Sequence, residues 1–282
     1  MSTGAKRRLA SAGFVALLIL SVFWPSPIVA VNRLCCNAPL GIDELSFLGR
    51  EAPAWDVVFW CLSGLFALWL LQDTRDFGAI LAEFRATRLR IRTLTGIAII
   101  AAAALVAQVW MFVDSPVTEW AERINSDSVE DWIRIANRFG GGMNPVMIIL
   151  FFALAGLAYA KRDWVGYAIR MLVAGAAGGA IVQIVKFAIG RTRPELWLGP
   201  FHHARVSASS FPSGHTVGAF ALAGVLILNA ESKTLRAIAV LLALAVAVSR
   251  VLAFRHWTSD VTASAAIGLI VAATLRSPRS SR

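Results

Sequence analysis

Charge is what this sequence has little of. Asp, Glu, Lys and Arg make up 16% of its 282 residues, where a soluble domain carries about 25%. That is too few to cover a globular surface. Hydrophobic residues, at 57% with a mean hydropathy of +0.67, fill the difference. The same figures exclude disorder and a coiled coil, and 3 cysteines exclude a disulfide scaffold. No internal repeat of fixed period and no low-complexity run is present. Acids are scarcer still, 17 against 27 bases, for a net charge of +10. In a soluble protein that excess would point to nucleic acid. In a chain this hydrophobic it points to basic residues on the cytoplasmic side of a membrane, and no nucleic-acid partner is expected.

What is present in quantity is long apolar runs. A bilayer core needs about 20 apolar residues in a helix. Eight stretches approach that length: 9–31, 53–72, 94–113, 144–160, 167–190, 213–230, 235–254 and 259–275. The fold class expected is all-α, a polytopic transmembrane helix bundle. Alternate connections hold 16 basic residues against five acids, and the other face has 11 against 12. The first face is therefore cytoplasmic, with both termini inside. Lys6-Arg7-Arg8 and the apolar run to Trp24 also fit a cleaved secretory signal. The length of the run favours a retained helix.

The loop 114–143 has Ser115 placed as an N-cap and Pro116 as a first helical residue. Trp120 and Ile124, then Trp132, Ile135, Ala136 and Phe139, recur at helical spacing among charges. Two short amphipathic helices on the outer interface are expected, ended by Gly140-Gly141-Gly142. Trp24, Trp55, Trp110, Trp197 and Trp257 suit interfacial positions.

Three polar clusters interrupt this pattern on the outer side. Lys186 and Arg193, followed by Pro194, are seven residues apart, so two helical turns would bring both cations to one side. Ser213-Gly214-His215 opens the sixth span. Ser213 is placed as an N-cap, and Gly214 lets helix-terminal amides approach an anion. Arg250 closes the seventh span, and His256 and Asp260, spaced i, i+4, start the eighth. A carboxylate bonded to one imidazole nitrogen makes the other the better nucleophile. Each cluster alone has an ordinary reading: cations snorkelling to the interface, a helix cap, a structural His–Asp pair. Together they place three cations, a helix N-terminus and two histidines around one anion, which is a phosphate-processing site.

The run Lys-x6-Arg-Pro, Pro-Ser-Gly-His, Ser-Arg-x5-His-x3-Asp, from Lys186 to Asp260, resembles the full signature of the type 2 phosphatidic acid phosphatase superfamily. All eleven positions match, in order. The resemblance implies a six-helix membrane phosphatase core over 94–282, leaving 1–93 as an N-terminal two-helix extension of unknown role. It implies that His256 attacks phosphorus to form a phosphohistidine, with Asp260 orienting it. His215 would protonate the leaving oxygen and then activate water. Lys186, Arg193, Arg250, Ser213 and Gly214 would hold the phosphate oxygens. It implies no metal and no cofactor, in keeping with the lack of any Asp, Glu and His set resembling a two-metal clamp.

The function expected is an integral-membrane lipid phosphatase, acting on a headgroup monoester or pyrophosphate at the outer leaflet. The composition and compact loops are bacterial in character, which places the protein in the plasma (inner) membrane with its active site periplasmic or extracellular. Within the family, bacterial substrates include polyprenyl pyrophosphates, phosphatidylglycerol phosphate, phosphatidic acid and the phosphates of lipid A. The signature does not choose among them. Two other readings stand beside this one: a lipid-to-lipid phosphotransferase using the same phosphohistidine, and a lipid transporter or scaffold that only binds. Partners expected are the lipid phosphate and membrane lipids, with no obligate protein partner. His202 and His203 read as solvated loop residues. Cys35 and Cys36 read as a vicinal disulfide or two thiols, Cys61 as lipid-facing or packed, and the arginines of 85–92 as cytoplasmic anchors.

Overall fold

The computed structural model describes residues 93–141, 144–203 and 209–275, with the isolated positions 78 and 82. The expected spans 9–31 and 53–72, the three cysteines and the arginine run lie outside the described residues. So does nearly all of the expected extension 1–93.

Among the described residues eight α-helices follow in order: α1 Thr93–Phe112, α2 Asp114–Arg123, α3 Asp127–Gly140, α4 Asn144–Ala158, α5 Arg162–Ile189, α6 Gly214–Asn229, α7 Lys233–Leu252 and α8 Thr258–Thr274. Among the described residues there is no strand, only an isolated bridge between Arg191 and His203. The protein is all-α, as its composition requires. Six of the helices coincide with expected spans to within a few residues. The largest difference is at α5, which starts at Arg162 rather than 167, with Asp163 in its first turn where the helix dipole favours an acid. By length and apolar content α5 and α7 each suffice to cross a membrane, and α1 from Ala98 bends by 57° into α2. The shorter α6 and α8 are apolar helices of 16 and 17 residues.

Both helices expected in the loop 114–143 are present. The start of the first differs from expectation. Val113, not Ser115, is the N-cap, and Asp114 is already the first helical residue. An acid in the first turn suits the helix N-terminus, and Asp114 is wholly buried rather than solvated. The second helix ends at Gly140, as the glycine run predicts.

Of the described residues, 144–169 form part of one compact unit, and 93–141, 170–203 and 209–275 lie in the other. The first is held by rings: Phe152 meets Phe151, Trp164 and Tyr167 edge-on at centroid distances of 5.2, 5.6 and 6.1 Å. In the second unit α6 packs against α7 and α8. Lipid tails are as apolar as leucine, so such helices associate by close van der Waals fit rather than by hydrophobic exclusion from water. Gly268 shows how close. A Cβ there would stand 2.7 Å from both the Val217 carbonyl oxygen and the Ala221 nitrogen of α6. This packing holds α6 alongside α8, and the candidate site residues gather where the two helices start.

Candidate active site

Lys186 sits in the last turn of α5. The helix stops at Ile189, and Gly190 takes the left-handed conformation (φ 63°) that ends a helix without a Cβ clash. Arg193 is therefore not on the helix with Lys186, as the seven-residue spacing predicted. It lies beyond the turn, in extended backbone (φ −83°, ψ 154°) ahead of a short 3-10 turn, Pro194–Leu196. The extended segment is fastened on several sides. The Thr192 amide donates to the His202 carbonyl (3.1 Å), the Ser210 amide to the Arg191 carbonyl (2.7 Å) and the Trp257 indole to the Thr192 carbonyl (2.8 Å). Lys186 Nζ donates to the Ser209 carbonyl. Arg193 Nη1 is 3.4 Å from Glu195 Oε1, while its Nε is buried with no hydrogen-bond partner.

Ser213 is the N-cap of α6, as expected. Its Oγ accepts from the Thr216 amide (3.5 Å) and the Thr216 hydroxyl (3.0 Å), and its own amide donates to Ser264 Oγ (2.7 Å). The amides of Gly214 and His215, in the same first turn, have no intrahelical acceptor, and Gly214 is exposed. This is a helix N-terminus open to an anion. The His215 ring rests against Gly141, where an added Cβ would fall 2.2 Å from Nε2. A side chain at 141 would displace the imidazole.

Arg250 is buried near the end of α7, its Nη1 2.5 Å from Asn137 Oδ1 of α3 and its Nε without a partner. The chain then folds back, and the amides of Arg255 and His256 both donate to the Arg250 carbonyl at 3.2 Å. His256 is 4% exposed. Its Nδ1 lies 2.6 Å from the Ser210 carbonyl oxygen. A carbonyl only accepts, so Nδ1 carries the proton and Nε2 keeps its lone pair. The bond expected to come from Asp260 is thus made by the backbone. Asp260 Oδ2 stands 3.7 Å from Nδ1, close enough to act by charge but outside hydrogen-bond range. The reason is that the carboxylate is already engaged. It accepts from the Trp257 amide (2.9 Å), from Arg191 Nη1 (2.5 Å) and from the Ser210 hydroxyl. Burial pushes the His256 imidazole down from 6.5 to about 4; Arg250 and Lys186 push the same way, and Asp260 opposes them. The ring is neutral at physiological pH.

The structure brings Lys186, Arg193, His215, Arg250, His256 and Asp260 together. His215 lies within electrostatic range of Arg250, His256, Lys186 and Arg193, and Lys186 within range of Asp260. His202 and His203 are exposed. His203 Nδ1 is 3.0 Å from the Ile189 carbonyl oxygen. Among the described residues no three of His, Cys, Asp and Glu gather as metal ligands. Four participants were missed. Arg191 stood unremarked between Lys186 and Arg193. Asp114 opens the expected loop 114–143 with nothing to mark it, Asn137 carries no local signal, and Gly141 reads only as part of a run that ends a helix.

A helical membrane protein with a buried neutral imidazole, an open helix N-terminus and buried guanidinium groups is the class that fold and site define. Residues 167–279 match the PAP2 superfamily. Over 133 residues it is 35% identical to the lipid A 1-phosphatase of Porphyromonas gingivalis, covering 45% of this chain and 27% of that protein. The chain thus matches about a quarter of the length of that relative. Its fold is similar to that of the crystal structure of a transmembrane PAP2-type phosphatidylglycerolphosphate phosphatase from Bacillus subtilis. The TM-score is 0.52 at 23% identity, over 63% of this chain and 91% of that one. LpxE of Aquifex aeolicus aligns with a TM-score of 0.47 at 21% identity, over 57% and 93% of the two chains.

Proposed function

We propose that this protein is an integral-membrane lipid phosphatase that works through a phosphohistidine on His256. The observation that carries the reading is the state of that ring. Nδ1–H is committed to the Ser210 carbonyl, leaving Nε2 as a neutral lone pair on a ring within electrostatic range of Arg250 and Lys186, and Arg193 and Arg250 each keep a buried Nε that has no partner. Nε2 attacks phosphorus in line, and the P–O bond to the lipid breaks. His215 gives its proton to the leaving oxygen, then takes one from the water that attacks the phosphohistidine and releases inorganic phosphate. Lys186, Arg193, Arg250, the Ser213 hydroxyl and the first amides of α6 hold the equatorial oxygens while charge redistributes. Asp260, at 3.7 Å, stabilises the positive ring.

The alternation of basic residues between connections puts this site on the outer face of the plasma (inner) membrane, with both termini cytoplasmic. A phosphate handled at that depth comes most readily on a lipid that carries its own anchor. Relatives named for lipid A and for phosphatidylglycerol phosphate support a lipid headgroup as substrate.

The test is phosphate release by the purified full chain in mild detergent with EDTA. The panel is phosphatidic acid, phosphatidylglycerol phosphate, a polyprenyl pyrophosphate and lipid A, assayed beside His256→Ala. Release that the substitution abolishes is expected. Release unchanged in His256→Ala would overturn the nucleophile. Transfer of phosphate to a second lipid, with no free phosphate, would make the protein a phosphotransferase. No reaction with any lipid would leave a transporter or scaffold.

A further inference from the structure

The most buried charges of the molecule do not belong to the phosphate ligands. Arg191 and Asp114 have side chains with no exposed surface, so neither can meet a substrate. Every arm of the Arg191 guanidinium is engaged: Nε to the Pro200 carbonyl (2.9 Å), Nη1 to Ser259 Oγ (2.7 Å) and Asp260 Oδ1 (2.5 Å), Nη2 to Asp114 Oδ2 (2.6 Å). Its plane is covered by Trp110 and Trp257, whose ring centroids lie 4.2 and 5.3 Å from Cζ. Asp114 reaches from α2 to the first turn of α8. There Oδ1 accepts the Ser259 amide (2.7 Å) and Oδ2 the Ser259 hydroxyl (2.6 Å). The Asp114 oxygens face donors only, so the group is a carboxylate.

We infer that Asp114 and Arg191 are positioning residues for the reaction at His256. Asp114 fixes the first turn of α8, and Arg191 holds the Asp260 carboxylate beside the nucleophile's ring. The inference rests on the reading of His256 as nucleophile.

Two features raise this above a structural role. First, buried ion pairs are a poor means of stabilising a fold, because apolar side chains of similar size do as well or better. Second, the charges do not cancel. Two carboxylates share one guanidinium, leaving one negative charge uncompensated next to an imidazole that is neutral at rest. When Nε2 takes up phosphorus while Nδ1 keeps its proton, the ring becomes positive and the cluster is balanced. The cluster therefore favours the phosphorylated state over the resting one, and only such differential interaction raises a rate. The other charged or titratable groups facing the ring are Arg250 from α7, Lys186 from α5 and His215 from α6.

The experiment uses the full chain in mild detergent, with phosphatidic acid, phosphatidylglycerol phosphate and lipid A in mixed micelles. The variants are Asp114→Asn, Arg191→Met and Arg191→Lys, with His256→Ala as reference. Asp114→Asn is expected to lower kcat by about 10- to 100-fold, as loss of a supporting shell does elsewhere, with KM held within about threefold. The acid limb of the rate profile is the decisive readout. Removing the Asp114 charge moves it to lower pH, and removing the Arg191 charge moves it to higher pH, whereas general loosening would move both the same way. Arg191→Lys, keeping the charge, leaves the limb near its wild-type position. If Arg191→Met does not fold, Arg191→Lys and Asp114→Asn decide the matter.

A kcat for Asp114→Asn within twofold of wild type, limbs that move together, or failure of Asp114→Asn to fold would each overturn the inference. Failure to fold would make the pair a folding element only. An inactive His256→Ala beside an unaffected Asp114→Asn sinks this inference alone. An active His256→Ala sinks the phosphohistidine reading and this inference with it.

Discussion

Two groups of charge stand around His256, one wholly buried and one buried only in part, and they are built on opposite rules. In the first, Asp114, Arg191 and Asp260 are matched to one another, with all four guanidinium bonds of Arg191 between 2.5 and 2.9 Å. In the second, Lys186, Arg193 and Arg250 are cations with mostly neutral company. Lys186 has the Ser209 carbonyl, Arg250 has the Asn137 amide oxygen at 2.5 Å, and only Arg193 touches an acid, Glu195 at 3.4 Å. Both guanidinium groups of the second set keep a buried Nε without a partner. Burying a cation is costly unless a counter-charge compensates it. In the first group the guanidinium and the carboxylates compensate one another down to one residual negative charge; in the second, on the function proposed, the counter-charge is the substrate phosphate.

The sharpest way to break this contrast is to remove a cation from the second group. Arg250→Ala is expected to lower kcat/KM by about 10²- to 10³-fold, the usual effect of deleting one group that stabilises transition-state charge. Arg250→Lys should recover part of it, since it restores the charge but not the planar fork. Phosphate release from the lipid panel measures both. Activity of Arg250→Ala within threefold of wild type would show that the group is structural after all.

The two groups also differ in how far the sequence disclosed them. The second was legible because its residues fall in short runs with fixed gaps, and because ionisable residues stand out against apolar helices. The helices themselves were legible for the same reason. Even so, spacing misplaced Arg193. It carried the helix two turns past Lys186, where Gly190 ends it and turns the chain. The first group was nearly invisible. Asp114 meets Arg191 across 77 residues and Ser259 across 145. No local pattern encodes such a contact, and an acid following an apolar run reads as the start of a solvated loop. The carbonyl that orients His256 was out of reach for another reason. Every residue has one, so the choice of Ser210 over Asp260 appears only in three dimensions.

The support of His215 offers a smaller test of the same distinction between placing a group and charging it. This ring rests in the space that the absent side chain of Gly141 leaves. General acid–base groups contribute about 10²- to 10⁴-fold, and a displaced one forfeits part of that. Gly141→Ala should lower kcat by about 10- to 100-fold, with little change in KM. Gly179→Ala is the control, since a Cβ there meets nothing within 4 Å, and its activity should equal wild type. Equal activity in both variants would mean that the notch at 141 does not position the imidazole.

The smallest expected effect sets the two groups against each other at one atom. Burial pushes the His256 imidazole down from 6.5 to about 4, the cations Arg250 and Lys186 add to the shift, and Asp260 opposes it. The folded protein therefore keeps the ring unprotonated down to about pH 4, while the unfolded chain takes up a proton near pH 6.5. Between those values the unfolded state binds more protons, so stability falls as pH falls through the window and is unaffected above it. Lowering the pH from about 7 to about 6 samples only the edge of the window and costs roughly 1 kcal/mol or less. Thermal unfolding of wild type and of His256→Gln, which has no proton to bind, reads it directly. The wild type should lose more stability than the variant on acidification, and by a margin that grows toward pH 5. Parallel losses would mean that burial does not outweigh Asp260 at the ring, and that His256 is not held neutral in this way.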